Sequence, residues 1–509
     1  MNMSKTQGNQ TVEWNRVNWR KLEKVLFKLQ KRIYRASQRG DVRVVRKLQK
    51  TLMKSWTAKM IAVRRVTQEN KGKKTAGIDG KEALTHRQRL ALVVNLKIHK
   101  KAKPTRRVWI PKPGKTEKRP LGIPTIYDRA LQALAKQALE PEWEAKFEPN
   151  SYGFRPGRSC HDAIEAIFKA IAQKQKWVLD ADIAKCFDKI NHETLLTKLN
   201  TYPSLRRLIK SWLKAGVMDN GTFSPTKEGT PQGGVISPLL ANIALHGMEE
   251  HIKQYAETLK IKGRAKTQKR KAMSLIRYAD DFVIIHEDQT TVEECQKIIS
   301  TWLKDIGLEL KPSKTKIAHT TDGFDFLGFN IRQYNVGKNQ SKQGFKTIIK
   351  PSKESIQRHY RQLSDKIDRH RAASQEALIK CLKPIILGWC NYNKTVCSKE
   401  TFEKIGYMLW NKLQRWGYRR HPNKSKNWVT KKYWGTLGKD RWMFMTSKDN
   451  YLPRHAKVEI IRHTKVKDTR SPYDGDLIYW NTRMRKHPEM TNQVRFVGYK
   501  PCPVRVLGD

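Results

Sequence analysis

The stretch Ser274-Leu275-Ile276-Arg277-Tyr278-Ala279-Asp280-Asp281-Phe282-Val283-Ile284-Ile285 sets two short apolar runs on either side of a pair of adjacent aspartates. β-Branched residues dominate the second run, and the pattern predicts a β-hairpin with Asp280 and Asp281 at its turn. Neighbouring carboxylates repel each other and lose solvation unless a cation sits between them. Magnesium suits such a pair, because it takes hard oxygen ligands and commonly bridges a few carboxylates to substrate phosphates. A bare Asp-Asp pair also marks ordinary solvated hairpin tips, so its meaning depends on the rest of the chain.

A second acidic strand is predicted at Trp177-Val178-Leu179-Asp180-Ala181-Asp182-Ile183. Asp180 and Asp182 alternate with Ala181 and Ile183, so the period of two puts both carboxylates on one face. Phe187 and Asp188 follow. An acidic strand end is unexpected in so basic a chain, and it makes sense as a complement to the Asp280 hairpin around a metal pair. Between the two strands lies Thr230-Pro231-Gln232-Gly233-Gly234-Val235-Ile236-Ser237-Pro238, a turn before a helix. Its glycines let another group approach the backbone, and Gln232 offers both a donor and an acceptor.

Upstream, Arg106-Arg107-Val108-Trp109-Ile110-Pro111 and Lys118-Arg119-Pro120-Leu121-Gly122-Ile123 predict a hairpin joined by a Pro-Gly-Lys loop. It presents Arg106, Lys112 and Arg119, cations held at separate points as a triphosphate requires. A basic surface hairpin is the bland alternative. Next comes a helix at about 128–146, then the loop Tyr152-Gly153-Phe154-Arg155-Pro156-Gly157-Arg158-Ser159, where Arg155 and Arg158 are expected to meet a backbone or template phosphate.

The formal net charge is +56, from 103 Lys and Arg against 47 Asp and Glu in 509 residues. Such a field implies a large polyanionic partner, nucleic acid above all, with an anionic membrane surface as the alternative. No apolar run approaches the roughly 20 residues that span a bilayer, and the first residues lack a signal-peptide pattern. The expectation is an intracellular protein of a bacterial cytoplasm or an organellar matrix, without a membrane partner. Seven scattered cysteines without a C-x-x-C pair read as reduced thiols.

Helical spacing of Trp19, Leu22, Leu26, Leu29 and Ile33, then of Val45, Leu48 and Leu52, predicts a basic helical hairpin at the start. Residues 260–271 are almost uniformly cationic and are expected to form a mobile loop touching phosphates nonspecifically. The polar residues 335–344 suggest a domain boundary, and beyond Pro351 the texture becomes helical. The run Trp416-Gly417-Tyr418-Arg419-Arg420-His421-Pro422-Asn423-Lys424-Ser425-Lys426 interleaves aromatics with cations, which suits RNA phosphates and unstacked bases. Trp416 itself is expected in the core.

Taken in order, Asp182-Ile183 with Phe187, Pro231-Gln232-Gly233, Tyr278-Ala279-Asp280-Asp281, Lys314 and Leu327-Gly328 resemble the motif series of reverse transcriptases. The features Thr75-Ala76-Gly77-Ile78-Asp79-Gly80, Arg119-Pro120-Leu121-Gly122-Ile123-Pro124 and the Tyr152–Ser159 loop are similar to those of group II intron-encoded proteins. Gly388-Trp389-Cys390-Asn391-Tyr392 and Arg419-Arg420-His421-Pro422-Asn423-Lys424 resemble their maturase domain. The resemblance implies an α+β, right-hand polymerase with an antiparallel palm sheet, followed by an α-helical thumb. Its implied divisions are an N-terminal RNA-binding extension at 1–59 and fingers and palm at 60–340. A maturase thumb at 345–434 and a DNA-binding region with tail at 435–509 complete the chain.

By the same resemblance Asp182 and Asp280, with the Ile183 carbonyl, hold two Mg2+ ions (Mn2+ being a substitute), and Asp281 supports them. Phe187 bars a sugar 2′-hydroxyl, Gln232 lines the nucleotide pocket, and Arg106, Lys112 and Arg119 take the triphosphate. Lys314 is a weaker candidate for protonating the leaving group. Arg155, Arg158, Arg419, Arg420 and Lys424 are the RNA-binding candidates. The implied partners are group II intron RNA, an RNA template with a DNA primer, deoxynucleoside triphosphates and target DNA. Residues 494–509 carry only Cys502 and no zinc-like cysteine pairs, so the HNH nuclease of the longest family members is not expected. Two alternatives stand beside this reading: a splicing factor whose polymerase is vestigial, and a reverse transcriptase in a setting other than an intron.

Overall fold

A computed structural model describes residues 13–98, 101–111 and 117–486. Lys112, one of the three expected triphosphate contacts, lies outside the described residues. The helix Ile126–Glu144 is buried on nearly every side, and the rest of the N-terminal half packs around it. Its sequence allows this because alanines and leucines occupy several faces, not one stripe. Helices Trp19–Gln38, Val42–Lys54 and Trp56–Arg64 lie against it. Gln30 Nε2 donates to the Gln137 carbonyl at 3.0 Å, and Gln49 Nε2 to Glu142 Oε2 at 2.7 Å. The expected N-terminal hairpin is therefore welded to the body through its apolar side. Its outer side exposes Arg43, Lys47, Lys50 and Lys54 at helical spacing.

The palm sheet has the strand order Ser274–Tyr278, Asp281–His286, Trp177–Asp182, Lys316–His319, antiparallel throughout. Register pairs Asp182 with Asp281 and Ala181 with Phe282. Leu179, Ala181, Leu275, Phe282 and Ile284 pack into the core that also holds the Ile126–Glu144 helix. Val178, Ile276, Val283 and Ile285 pack into a second core on the other face. Both faces are covered, which is why the strand Asp281–His286 runs without a polar break from Phe282 to Ile285 after its leading carboxylate. A mixed fingers sheet, in the order Lys118–Ile123, Thr105–Pro111, Val217–Asp219, Thr222–Ser224, stands beside the palm.

Two expectations about loops change. Strand Phe345–Pro351 pairs with Phe329–Asn335, so the polar residues between them are the loop of one hairpin and not a break between domains. Residues 266–272 form a helix, and Arg270 binds Glu250 and Glu257 at 2.6 and 2.7 Å. Its cations are partly neutralised by acidic residues of the preceding helix, which sequence spacing does not reveal.

The thumb consists of helices Lys353–Arg369, Gln375–Asn393 and Lys399–Arg420 around Leu363, Leu382, Ile386, Leu413 and Trp416. Strands Trp434–Leu437 and Asp440–Phe444 close on that core through Trp434 and Phe444. The chain then returns to the palm. Val466, Tyr473, Trp480 and Met484 enter the palm's second core, and the Tyr473 hydroxyl donates to Glu140 Oε2 at 2.9 Å. The described part of the region after 435, read from the sequence as a DNA-binding region with tail, is thus built into two other cores. Among the described residues no helix is long and apolar enough to cross a membrane.

Candidate active site

The hairpin turn is Ala279-Asp280, with Asp281 already in the second strand opposite Tyr278. Ala279 has φ +60, the left-handed region that costs a non-glycine residue about 1 kcal/mol or more. The surroundings hold it there. The fully buried Arg277 guanidinium donates to Asn242 Oδ1, the Ala279 carbonyl and Ser151 Oγ at 3.0, 3.1 and 2.8 Å. Asn242 Nδ2 donates in turn to the Gly153 carbonyl at 2.8 Å. A Cβ on Gly153 would lie 2.3 Å from the Ala279 nitrogen, so only glycine lets this loop cross the turn.

Asp182, Asp280 and Asp281 meet at this end of the sheet. Ile183 N–H donates to the Asp280 carbonyl at 3.3 Å, tying the strand end to the turn. Burial, then Asp280 and Asp182, push the Asp281 carboxyl up to about 7. Burial and the Asp182 charge also raise Asp280, while Lys314 and Arg119 oppose the shift. Asp180, on the same face as expected, is pushed to about 7 by burial, with Asp281 the next contribution. Lys314 Nζ bonds Asp182 Oδ2 at 2.6 Å and is the nearest compensating charge. Among the described residues, four carboxylates set against the Lys314 ammonium and the Arg119 charge are an under-compensated set of hard oxygens, and divalent cations fit that chemistry. Among the described residues no three His, Cys, Asp or Glu side chains already stand close enough to enclose an ion.

The nucleotide side is assembled from three loops. Phe187 is half-buried and meets Phe154 edge-on, ring centroids 6.2 Å apart. Phe154 was missed in the sequence, although it sits in the quoted Tyr152–Ser159 loop. Its φ of +59 is a strained setting for a bulky side chain, and its ring is exposed where it meets Phe187. Gln232 Nε2 donates to Asp188 Oδ2 at 2.9 Å, another partner the sequence did not reveal. The Gly122 N–H of the fingers hairpin donates to the Gln232 carbonyl at 2.7 Å. Register puts Arg106 and Arg119 on one face of that hairpin, both exposed.

Three comparisons bear on this geometry. The family described as reverse transcriptase (RNA-dependent DNA polymerase) matches residues 110–331. The N-terminal domain of reverse transcriptase matches 14–96, and the group II intron maturase-specific domain matches 356–434. The chain is 35% identical to Protein YkfC of Escherichia coli (strain K12) over 326 residues, covering 57% of this chain and 84% of that protein. It belongs to the group II intron reverse transcriptase and maturase family. It is also 32% identical to the group II intron-encoded protein LtrA of Lactococcus lactis subsp. cremoris, over 52% of this chain and about half of LtrA, 53%. Maturase-like protein 1 of Euglena gracilis is 27% identical over 74% of this chain and 76% of that protein.

The RNA-binding candidates divide sharply. Arg155 is buried, paired with Glu144 at 2.9 and 3.0 Å and bonded to the Glu148 and Ser151 carbonyls. Arg158 is buried too, and donates to the carbonyls of Pro149, Asp468 and Arg470. Both hold the fold together and neither faces a phosphate. In the maturase-specific region, Arg420 lies over Trp416 and donates to the carbonyls of Arg371 and Ala373 and to the Tyr433 hydroxyl. It is therefore also engaged internally. Arg419 is exposed and lines a cavity of about 230 Å³ with Asp368, Arg371, Lys412 and Arg415. Lys424 Nζ sits 5.6 Å from the ring of the partly exposed Trp428, which Lys432 also approaches at 4.9 Å. Trp416 is core, as expected.

Proposed function

We propose that this protein is an RNA-directed DNA polymerase that also binds group II intron RNA and assists its splicing. The observation that carries the reading is the convergence of Asp182, Asp280 and Asp281 at one sheet end, beneath a fingers hairpin whose exposed arginines share a face. Asp182, Asp280 and the Ile183 carbonyl would hold two magnesium ions, which would activate the primer 3′-hydroxyl and neutralise the triphosphate. Asp281 supplies further negative charge beside them. Arg106 and Arg119 bind the triphosphate and orient it towards the carboxylates. The Phe187 ring, braced by Phe154, occupies the space a 2′-hydroxyl would need. Lys314, positioned by Asp182, can move a proton to the leaving pyrophosphate. The exposed cations of the Val42–Lys54 helix, with Arg419 and Lys424 on the thumb, are the surface for intron RNA.

The deciding experiment is extension of a DNA primer on an RNA template with magnesium and deoxynucleotides, for wild type and Asp280→Ala, with group II intron splicing measured for the same two proteins. Extension by the wild type alone, with splicing by both, is expected. A wild type that splices without extending the primer would overturn the polymerase reading. A wild type that extends without binding or splicing intron RNA would leave a reverse transcriptase in another setting.

A further inference from the structure

The hairpin that closes the thumb core, Trp434–Leu437 with Asp440–Phe444, is irregular at one point. Gly435 faces Met443 and Leu437 faces Asp440, so the single residue Thr436 stands opposite two, Arg441 and Trp442. Such a bulge bends the strand and re-aims a side chain. Met443 and Phe444, next in the strand, are both buried, and Trp434 is buried across from Phe444. Trp442 is 57% exposed, the most exposed tryptophan among the described residues.

That exposure is held in place by the backbone. Trp442 has φ +62, the left-handed region in which a bulky side chain is an outlier and glycine the usual occupant. The Arg454 guanidinium donates to the carbonyls of both bulge residues, that of Trp442 at 2.8 Å, and pins this shape. A core gains nothing from a strained indole turned to solvent, whereas strain of this kind gathers where ligands are clamped. The charges around the ring suit an anion. Lys439, in the turn, and Arg441 are exposed, and Asp440 between them is already matched by Lys457 at 2.5 Å.

We propose that Trp442 stacks on an unpaired base of a single-stranded nucleic acid, with Lys439 and Arg441 against the adjoining phosphates. A duplex hides the faces of its bases, so the site selects single strands. Every base has a π-face, so it selects little among sequences. The hairpin belongs to a different sheet from the carboxylate centre, and the assignment stands without the polymerase reading.

The test is fluorescence anisotropy of the full-length protein with labelled single-stranded RNA, single-stranded DNA and blunt duplex DNA of about a dozen nucleotides, at rising salt. Trp442→Gly is expected to weaken single-strand binding about tenfold, the size of one base stack, and to leave duplex binding within about twofold. The salt dependence of Trp442→Gly should match wild type, because the ring neutralises no phosphate, while Arg441→Ala should make the slope shallower by about one. Trp442→Phe keeps a ring and should stay within about threefold of wild type. Trp442→Gly should melt no lower than wild type, since glycine accepts this φ, and Trp442→Asn, which also tolerates it, serves as the second variant. Weakening on both RNA and DNA is the expected pattern, and weakening on one alone names the strand that the site holds. Single-strand binding unchanged in the Gly and Asn variants, an equal loss on duplex, or a lower melting temperature in both would overturn the proposal and make Trp442 a part of the fold.

Discussion

Two buried carboxylate centres, Asp162 on the helix Cys160–Ile171 and the aspartates at the end of the palm sheet, are built on opposite terms. At the first, Asp162 is wholly buried and fully matched. It accepts from Arg483 at 2.7 and 2.8 Å, from His463 at 3.1 Å, and from the backbone N–H groups of Ser159 and Val466. Burial would raise its pKa, but the His463 bond and the Arg483 charge hold it well below the usual carboxylate range. At the second, Asp180, Asp182, Asp280 and Asp281 share Lys314, and three of the four are pushed up. Both centres are clusters of charge in a protein interior. A saturated carboxylate fastens distant parts of the chain together. A set left short of positive charge is strained by its own repulsion and is ready to accept a cation.

That contrast breaks if the two centres respond alike. Asp280→Ala is expected to cost primer extension about a thousandfold or more, the several kcal/mol that a positioned metal supplies, with little change in melting temperature. Asp162→Ala is expected to do the reverse. Removing the buried carboxylate that Arg483 and His463 both engage should lower unfolding free energy by about 3–5 kcal/mol in denaturant titration, while activity per folded molecule stays near wild type. A site variant that unfolds the protein, or an Asp162 variant that abolishes chemistry without unfolding, would reverse the assignment.

A buried pair of bases, one from the thumb and one from the segment after it, sharpens the comparison. His359 and His455 meet Nε2 to Nε2 at 2.9 Å, and His359 stacks on Trp389. Burial, with each other's proximity for His359, lowers their pKa values to about 3 and about 4. Because the folded values lie below the unfolded value near 6.5, the unfolded chain binds protons first as pH falls. Stability from this pair is present above about pH 6.5 and lost towards pH 4, by about 2 kcal/mol per group between pH 6.5 and 5. Melting temperature against pH should show that slope, and His455→Gln should flatten it.

The smallest expected effect separates a cation site from a fastening. Magnesium at about tenfold over its Kd should stabilise wild type by about 1.4 kcal/mol in a thermal shift, reversed by EDTA. Asp280→Ala should lose the shift, and Asp162→Asn should keep it. Equal shifts in all three proteins would place the ion elsewhere.

How far the sequence reached depended on the range of the interaction. The hairpin around Asp280 was legible because apolar alternation and β-branched residues are local signals. The shared face of Asp180 and Asp182 followed from the period of a strand. The pairing of Asp182 with Asp281 was not legible, since register joins residues about a hundred positions apart. Arg155 and Arg158 were misread for the same reason. Glycines and a proline around them suggested an exposed loop, but Glu144 precedes Arg155 by eleven residues and the carbonyls that engage Arg158 come from 468 and 470. Residues 335–344 looked like a boundary because polarity marks loops without saying whether the strands on either side pair.

The chain by itself therefore determined which chemistry is present: the order of its carboxylates, the glutamine turn, the aromatic after the acidic strand and the excess of cations. Only the tertiary structure decided which of those charges are available. Arg155, Arg158 and Arg420 are spent on internal carboxylate and carbonyl oxygens, while Arg106, Arg119 and Arg419 stay exposed. A side chain's charge is a property of the residue. Whether it is neutralised depends on acceptors that folding brings from anywhere in the chain, and burial makes leaving it unmatched too costly for the fold to tolerate outside a site.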